Sequence, residues 1–383
     1  MKKFLTNRTK FILTAFFIFQ LLVLVIFQFA SKWIPAKGGF IYQDTGQKPV
    51  WLWNRANFDG VHYLMVAKNG YGLYQQAFFP LYPLFILFLA RLFNQQYLLS
   101  GFLISFFSSL AALFILYKLV LLDYQDKIAR KTIFYLLLFP TSFFLSTVYT
   151  EAFFLCLTLL AFYWARKGKW LLVPLVTALA SATRIVGIFL LPALLFELWC
   201  QNTKKRRSKI VSFLLALWLI IISPLGLVLY MNYLKVHFND PLMFLHVQPN
   251  FGAERSSNKV ILLYQVFWRY FKMIATCQKN SLLYFIVWLE FLSALLIIGL
   301  LVFAYFSKIN RSYLIFSFLS FITPTLTGTF LSLPRFFLVL FPCFIILAVF
   351  QEKHPFLGKI YSFLSLGLFF VCQFLFSQGY WVS

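Results

Sequence analysis

Charged residues are scarce in this sequence, and acidic residues are the scarcest of them. Only 11% of the 383 residues are charged and only 10 are Asp or Glu, whereas a soluble globular chain carries about 25% charged residues. Hydrophobic residues make up 62% of the chain, and 52 of them are Phe. A water-soluble fold of this size could not bury so much apolar surface, so soluble enzymes are the first class that we exclude.

The patterns of several familiar sites are also missing. The five cysteines are scattered, mostly within apolar stretches, and show neither metal-ligand spacing nor a disulfide framework. There is no Gly-rich phosphate loop, nucleophile elbow or kinase signature. Asp59 and His62, with His237 or His246 far along the chain, lack the spacing of zinc ligands. No repeat or composition shift divides the sequence, and we expect a single domain over residues 1–383.

What the sequence does contain is a series of long apolar runs. They have the length of membrane helices, roughly 17–25 residues, and they are apolar on all sides rather than alternating as in a membrane barrel. We therefore predict an all-α, polytopic membrane protein. The net charge of +24 fits this class, because most Lys and Arg lie in short loops between apolar runs, as in cytoplasmic loops. We do not expect nucleic acid as a partner.

The basic loops also predict a topology. Lysines and arginines precede a first span, Phe11–Ala30, and place the N-terminus in the cytoplasm. Residues 31–97 form a long external loop with short interfacial helices; its apolar piece Phe78–Phe93 contains two prolines and is interpreted as an interfacial or re-entrant helix. Residues 231–280 form a second external loop. With the hairpins described next, about eleven spans result, in a membrane that we expect to be a bacterial plasma membrane.

Three apolar runs are too long for one comfortable crossing and have basic residues at both ends. These runs are Thr132–Ala165, Trp170–Trp199 and Ser312–Phe350. Each is interpreted as a helical hairpin with its tip outside, and near the tips lie Glu151, Arg184 and Arg335. An ionisable group within a membrane costs several kcal/mol unless it is paired or hydrated, so it indicates a functional site by default.

Two interpretations of these three charges are possible. Glu151 could pair with Arg184 or Arg335 and only hold helices together. Two arginines outnumber one buried acid, however, and a spare cation near the outer face suits an anionic ligand such as a phosphate, which Arg can bind with two hydrogen bonds. We therefore predict a pocket at the outer face in which these residues converge.

The first external loop contributes a second pair of candidates. Asp59 and His62 are three residues apart and would share one face of a helical turn. They are either an ordinary surface acid with an interfacial histidine, or a general base beside a group that positions the substrate. Asp44 is the only other acid in Ser31–Ala77, so the choice of base is narrow.

These residues lie in stretches that resemble a known family. Phe58–Tyr71 (FDGVHYLMVAKNGY), followed by Phe78–Pro83 (FFPLYP), resembles the opening signature of the GPI mannosyltransferase II family, the PIG-V type, and its bacterial relatives. Phe58 stands where that family usually has Trp. Four later stretches are similar to further motifs of the family in the same order: Pro140–Phe154, Ala182–Gly187, Asp240–Gln248 and Leu333–Pro342.

The resemblance implies a GT-C type glycosyltransferase, an inverting enzyme that needs no metal or other cofactor. It would take a sugar, with mannose as the first candidate, from a polyprenyl-phosphate donor. It would transfer this sugar to a lipid or glycan acceptor at the non-cytoplasmic face. Asp59 would be the catalytic base. The substrate would be bound by His62, Tyr82, Tyr149, Glu151, Arg184, Arg335, His246 and Gln248.

Two other functions stay open at this point. A transporter or flippase of lipid-linked sugars would place charges along a path through the bilayer and would tend to show paired halves. A scaffold without activity would need none of these residues for any sugar product.

Overall fold

The structure is a computed structural model that describes residues 2–37, 49–205, 208–256, 259–307 and 309–382. Within these ranges the chain forms helices and short 3-10 turns, with no strand. The α-helices, in chain order, are α1 (Lys2–Phe29), α2 (Val50–Trp53), α3 (Asp59–Asn69), α4 (Leu81–Leu92), α5 (Tyr97–Val120), α6 (Asp126–Leu138), α7 (Glu151–Arg166), α8 (Val173–Thr183), α9 (Leu190–Lys205), α10 (Lys209–Ile222), α11 (Leu225–Phe238), α12 (Met243–His246), α13 (Leu263–Thr276), α14 (Leu282–Phe306), α15 (Arg311–Thr325), α16 (Leu333–Phe336), α17 (Phe341–Lys353) and α18 (Pro355–Ser377).

The chain divides into two compact units, which are described separately below. Unit 1 comprises Met1–Gly70, Tyr82–Cys156 and Leu347–Val382, and unit 2 comprises Tyr71–Leu81 and Leu157–Ile346. The expected organisation as a single domain over residues 1–383 stays a prediction.

Within the described ranges, six helical stretches are long and apolar enough to cross a membrane. They are Asn7–Lys32, Tyr97–Val120, Ile185–Thr203, Lys209–Phe238, Leu282–Phe306 and Pro355–Ser377. A seventh span results if Leu333–Val339 and Phe341–Lys353, which are bent by 82° at their junction, count as one. Helices of this kind are typical of a multi-pass membrane protein, which agrees with the predicted class. The predicted number of eleven spans is not confirmed.

The lower count has a physical origin in the three predicted hairpins. One arm, α9, forms the candidate span Ile185–Thr203 together with the 3-10 turn before it. The other arms, α6, α7, α8, α15 and α17, contain between 11 and 16 residues. A helix of that size is about 17–24 Å long, less than the roughly 30 Å of a bilayer core. Helix α4 has 12 residues and is also too short to cross, in line with the interfacial or re-entrant helix predicted there.

The breaks within the hairpins fall near the charged residues. Glu151 is the first residue of α7. Arg184 separates α8 from a 3-10 turn that leads into α9, and Arg335 lies in the short helix α16. The predicted interruption at Arg184 is therefore confirmed. The predicted second external loop, residues 231–280, contains helices, because α11 continues past Tyr230 to Phe238 and because α13 also lies within these residues.

Ion pairs join three segments of unit 1 that the sequence places on one side of the membrane. Asp126 is 3.1 Å from Arg8 Nε and 2.6 Å from Arg130 Nε. Glu352 is 2.7 Å from Lys127 Nζ. The start of α1, the start of α6 and the end of α17 therefore meet, as the predicted topology requires, while their cytoplasmic location stays a prediction.

A network of polar contacts also joins helix ends within unit 2. Glu197, which is 5% exposed, lies 3.5 Å from Arg166 Nε. Its other oxygen accepts hydrogen bonds from Asn310 Nδ2 at 2.9 Å and Ser312 Oγ at 3.0 Å. A buried carboxylate needs this full set of partners, so Glu197 is an acid that joins helices α7, α9 and α15.

Candidate functional site

The position of Asp59 is determined by the turn that precedes it. Asp59 is the first residue of α3, and Phe58 before it has φ 58° and ψ −115°. A bulky residue at positive φ costs about 1–3 kcal/mol and persists only when its surroundings fix it. The Phe58 ring contacts the rings of Trp381 and Phe376, with centroids 5.0 and 5.7 Å away. The aromatic side chain at this motif position thus holds the start of α3.

Gly60, the residue after Asp59, allows the stretch that begins at Phe58 to pack against the stretch Pro140–Phe154 in unit 1. A Cβ on Gly60 would lie 3.3 Å from both Ala56 Cβ and the Val148 carbonyl oxygen, so the segment before α7 packs directly on the backbone of α3. Tyr149 Oη donates a hydrogen bond of 2.6 Å to the Asn57 carbonyl. The stretch with Asp59 and the stretch that leads to Glu151 are therefore neighbours, as their predicted joint role requires.

Three tyrosines connect this neighbourhood to α4 and α7. Tyr82 Oη donates to the Gly101 carbonyl at 3.0 Å, and the Tyr63 ring lies 5.3 Å from the Tyr82 ring. Tyr63 Oη is 3.4 Å from Thr150 Oγ1, directly before Glu151, which is 1% exposed. The hydroxyls of Tyr82 and of Tyr149 are both engaged by backbone carbonyls, so these two side chains hold the fold whatever else they contact.

His62 interacts with Asp59 across one turn of α3. Burial lowers the pKa of the His62 imidazole below its ordinary value, and the charge of Asp59 opposes part of that shift. Both side chains are half-buried. The roles of Asp59 as a base and of His62 beside it stay predictions, and Asp44, the other acid considered as a base, lies outside the described residues.

Unit 1 also contains a buried cation that the sequence does not reveal. Arg55, 1% exposed, donates to the Ser146 carbonyl at 2.5 Å, to Ser146 Oγ, and to the Trp51 carbonyl at 3.0 Å. Its guanidinium lies 4.7 Å from the Phe102 ring. Burial lowers the pKa of Arg55 to about 9, which leaves it charged near neutral pH. It forms no ion pair with a described carboxylate, so hydrogen bonds and aromatic rings alone hold the charge.

Unit 2 brings together the two arginines that the sequence singled out. The guanidinium carbon of Arg184 lies 4.8 Å from the centroid of the Phe336 ring, and that of Arg335 lies 5.3 Å from the same centroid. Arg335 is 6% exposed, and Arg184 is half-buried. Two cations from different hairpins thus share one aromatic ring, a contact that sequence analysis missed although Phe336 directly follows Arg335.

A close backbone turn presents Arg184. The residue is extended, with φ −153° and ψ 146°, after the end of α8. Three residues later a Cβ on Gly187 would lie 2.4 Å from the carbonyl carbon and oxygen of Ala180. Only glycine fits at this distance, because the displaced atoms belong to the backbone. The turn can therefore reverse tightly after Arg184 and begin α9.

A buried acid holds the turn that carries Arg335. Ser332 has φ 66°, and its backbone N–H donates to Glu290 Oε1 at 3.3 Å. Tyr270 Oη donates to the other Glu290 oxygen and accepts from the Phe330 N–H at 3.1 Å. Glu290 is 2% exposed. Sequence analysis could have identified Glu290 as a candidate, because it is the single acid in the apolar run Ser281–Phe306.

An aromatic cluster of unit 2 brings Phe79, from the FFPLYP stretch, close to Ile185, the residue after Arg184. Phe79 lies 5.0 Å from the Tyr230 ring and 5.3 Å from the Phe244 ring, and Ile185 packs on the same cluster. Tyr230 Oη donates to the Gln76 carbonyl at 2.7 Å. Within unit 2, this cluster therefore packs against Ile185 and so helps to hold the turn that contains Arg184.

His246 and Gln248 make contacts that are local to their own loop. His246 is exposed, and its Nδ1 is 2.7 Å from Asp240 Oδ2. Gln248 donates to the Phe244 carbonyl at 3.1 Å and accepts from Arg255 at 2.9 Å. Both residues stabilise the turn around α12, and their role in substrate binding stays a prediction.

In the part of the chain that the structure describes, no group of three or more His, Cys, Asp or Glu side chains is placed to hold a metal ion. The predicted independence from metal is not tested by this. The prediction that Asp59, Glu151 and the two arginines line one pocket involves residues of both units and also stays a prediction.

Comparisons with known proteins identify no family. No protein-family model matches the sequence, and no curated protein matches it. One solved structure to which the chain is similar is the oligosaccharyltransferase of Archaeoglobus fulgidus in complex with Zn and sulfate, with a TM-score of 0.45 and 10% identity over 97% of this chain and 53% of that chain. The chain spans about half the length of that protein, and a likeness of this degree assigns neither family nor activity.

Proposed function

We propose that this chain is an integral membrane glycosyltransferase of the GT-C type. It transfers a sugar, with mannose as the first candidate, from a polyprenyl-phosphate donor to a hydroxyl group of a lipid or glycan acceptor. The observation that carries the proposal is the arginine pair of unit 2, in which Arg184 and Arg335 both lie against the Phe336 ring. Two guanidinium groups beside one ring suit a phosphate group, which accepts paired hydrogen bonds from Arg.

The proposed reaction is an inverting displacement. Asp59 accepts the proton of the acceptor hydroxyl, and the hydroxyl oxygen forms a bond to the anomeric carbon of the sugar. The bond from that carbon to the phosphate oxygen breaks, and its electron pair leaves with the polyprenyl phosphate. Arg184 and Arg335 stabilise the negative charge that grows on the phosphate as this bond breaks.

The surroundings of Asp59 in unit 1 support its role as the base. The side chain is half-buried at the start of α3, close enough to His62 for their charges to interact. The buried Glu151 follows the segment that packs on α3. The remaining predicted residues recognise sugar and acceptor in this proposal: His62, Tyr82, Tyr149, Glu151, His246 and Gln248.

A transfer assay with purified protein tests the proposal. The protein is reconstituted in liposomes with synthetic polyprenyl-phosphate mannose or polyprenyl-phosphate glucose, with and without a chelator. We expect release of free polyprenyl phosphate from one of the two donors, unchanged by the chelator, and loss of that release in Arg335→Ala. Arg311→Ala, at an exposed arginine of the same unit, is the matched control and should retain release.

The same assay separates the transferase from a transporter of lipid-linked sugars. An arginine pair that binds a lipid phosphate would suit either activity. Movement of the intact donor across the bilayer without release of polyprenyl phosphate would contradict sugar transfer and favour transport.

A further inference from the structure

Helix α13 presents three different faces. At about 100° per residue, Val266 and Tyr270 fall on one side, and both are buried. Phe267 extends that side, with its ring 4.9 Å from Phe330 and 5.7 Å from Phe291. This face packs on the rest of unit 2, and the other two faces of α13 are exposed.

The exposed surface of α13 is divided into an aromatic stripe and a polar stripe. Tyr264, Trp268 and Phe271, spaced by about one helical turn, are 68%, 58% and 58% exposed. The Trp268 and Phe271 rings stack with centroids 5.8 Å apart. The adjacent polar stripe consists of Gln265, Lys272 and Thr276, all exposed. A helix surrounded only by water gains nothing from a continuous aromatic stripe of this kind.

The place of α13 in the chain brings it near a membrane boundary. Its last residue is Thr276, and the candidate span α14 begins at Leu282. The 14 residues of α13 extend about 21 Å, which is too short to cross a bilayer core of roughly 30 Å. The helix therefore ends within a few residues of the bilayer surface and cannot itself be a span.

We propose that α13 lies along the bilayer–water interface, with the stripe of Tyr264, Trp268 and Phe271 inserted among the lipids and the polar stripe facing water. The partner is thus the lipid bilayer itself. Tyr and Trp favour this depth, where one side of the ring is apolar and the other is wet. Lys272 Nζ lies 5.4 Å from the Trp268 ring, at the border of the two stripes, where an ammonium group can reach anionic headgroups.

The buried face of α13 contacts the turn that leads to Arg335. Tyr270 Oη contacts Thr329 Oγ1 at 3.1 Å and accepts from the Phe330 N–H at 3.1 Å, within the turn that leads to Arg335. A helix fixed at the lipid surface therefore fixes the depth of this turn relative to the headgroup phosphates. The interfacial position itself does not depend on any sugar reaction, so it can fail or succeed independently of the proposed activity.

Photo-crosslinking to lipid tests the proposal. The full-length protein carries benzoylphenylalanine in place of Trp268 or Phe271, or in place of Gln265 or Lys272, and is reconstituted in vesicles of phosphatidylcholine and phosphatidylglycerol. We expect at least about fivefold more lipid adduct, measured by mass spectrometry, from the aromatic stripe than from the polar stripe. The same probe at Phe17, an exposed residue of span α1, is the positive control.

Two results would overturn the proposal. Equal adduct yields from both stripes would show that α13 has no defined interfacial orientation. Crosslinked dimers in place of lipid adducts would show that the aromatic stripe contacts a second protein chain.

A second measurement avoids unnatural residues altogether. In vesicles with lipids brominated near the headgroup end of the acyl chain, Trp268→Phe should remove a quenched component of the tryptophan fluorescence. Trp170→Phe, at a buried tryptophan, should leave that component in place. An unchanged quenched component in Trp268→Phe would also refute the interfacial position.

Discussion

The acid of unit 1 and the arginines of unit 2 are positioned by different means. Asp59 is placed by the main chain: Phe58 adopts a positive φ, and Gly60 allows the segment before α7 to pack on the backbone of α3. Arg184 and Arg335 also lie at main-chain turns, but their guanidinium groups are in addition brought together by one side chain, the ring of Phe336.

This difference predicts how substitutions behave in the two regions. A change of the Asp59 side chain leaves the backbone features that position it intact, so near neutral pH its effect should be confined to chemistry. A change at either arginine or at Phe336 alters a contact that the others share, so its effects should be coupled rather than additive.

The largest expected effect is on the acid. Asp59→Asn keeps the shape of the side chain and removes the proton acceptor, so we expect sugar transfer to fall by about 10²- to 10⁴-fold. Membrane insertion, abundance and thermal unfolding at neutral pH should stay at the wild-type level. Asp123→Asn, at an exposed acid of the same unit, is the control. Transfer at the wild-type rate in Asp59→Asn would refute its assignment as the base.

The arginine pair should give the second largest effect. Arg335→Ala removes a cation that stabilises the leaving phosphate, and we expect kcat/KM for the donor to fall by about 10²- to 10³-fold. Arg335→Lys should restore only part of the loss, because Lys keeps the charge but lacks the planar group that stacks on Phe336 and binds phosphate with two hydrogen bonds. Complete restoration by Lys would show that charge alone matters.

The sequence predicts the long helices of this chain well and the interrupted ones less well. The expected span Phe11–Ala30 lies within the candidate span Asn7–Lys32, and the apolar run Ser281–Phe306 corresponds to α14 within one residue. Apolar length alone does not locate a break within an apolar run, however. The turn before Arg335 depends on the positive φ of Ser332 and on the hydrogen bond from Ser332 to Glu290. That hydrogen bond joins residues far apart in the chain, so the sequence alone does not predict it.

The candidate site shows the same limit. Charges inside apolar runs identified Glu151, Arg184 and Arg335, since a rare charge stands out in such a sequence. The same reasoning could have found Glu290. It could not have found Phe336, because one phenylalanine among 52 carries no signal until the fold brings two arginines to its ring.

Phe336 offers a direct test of the coupling in unit 2. Phe336→Leu keeps the site apolar but removes the ring, and a cation–π contact is worth about 0.5–2 kcal/mol. We therefore expect a fall of roughly two- to thirtyfold in kcat/KM for the donor. In a double-mutant cycle, Arg184→Ala should cost less in the Phe336→Leu background than in the wild type. Strictly additive effects would show that the ring does not link the arginines to one function.

The smallest expected effect concerns His62 and acid pH. Because burial lowers the pKa of His62 below the ordinary value of 6.5, the unfolded chain binds this proton more readily than the folded chain does. Stability should therefore rise with pH up to about 6.5 and be lost as the pH falls below it. His62→Gln lacks this proton, so its unfolding temperature should drop less between pH 7 and pH 5 than that of the wild type.

Substitution of Asp59 should change the same loss of unfolding temperature at acid pH in the opposite direction. Its charge raises the pKa of His62 and opposes the effect of burial, so Asp59→Asn should lower that pKa further and make the protein more sensitive to acid. His354→Gln, at an exposed histidine of the same unit, should follow the wild type throughout. If Asp59→Asn and His62→Gln both reproduced the wild-type loss of unfolding temperature, the two side chains would not interact, and the acid of unit 1 would act without the histidine beside it.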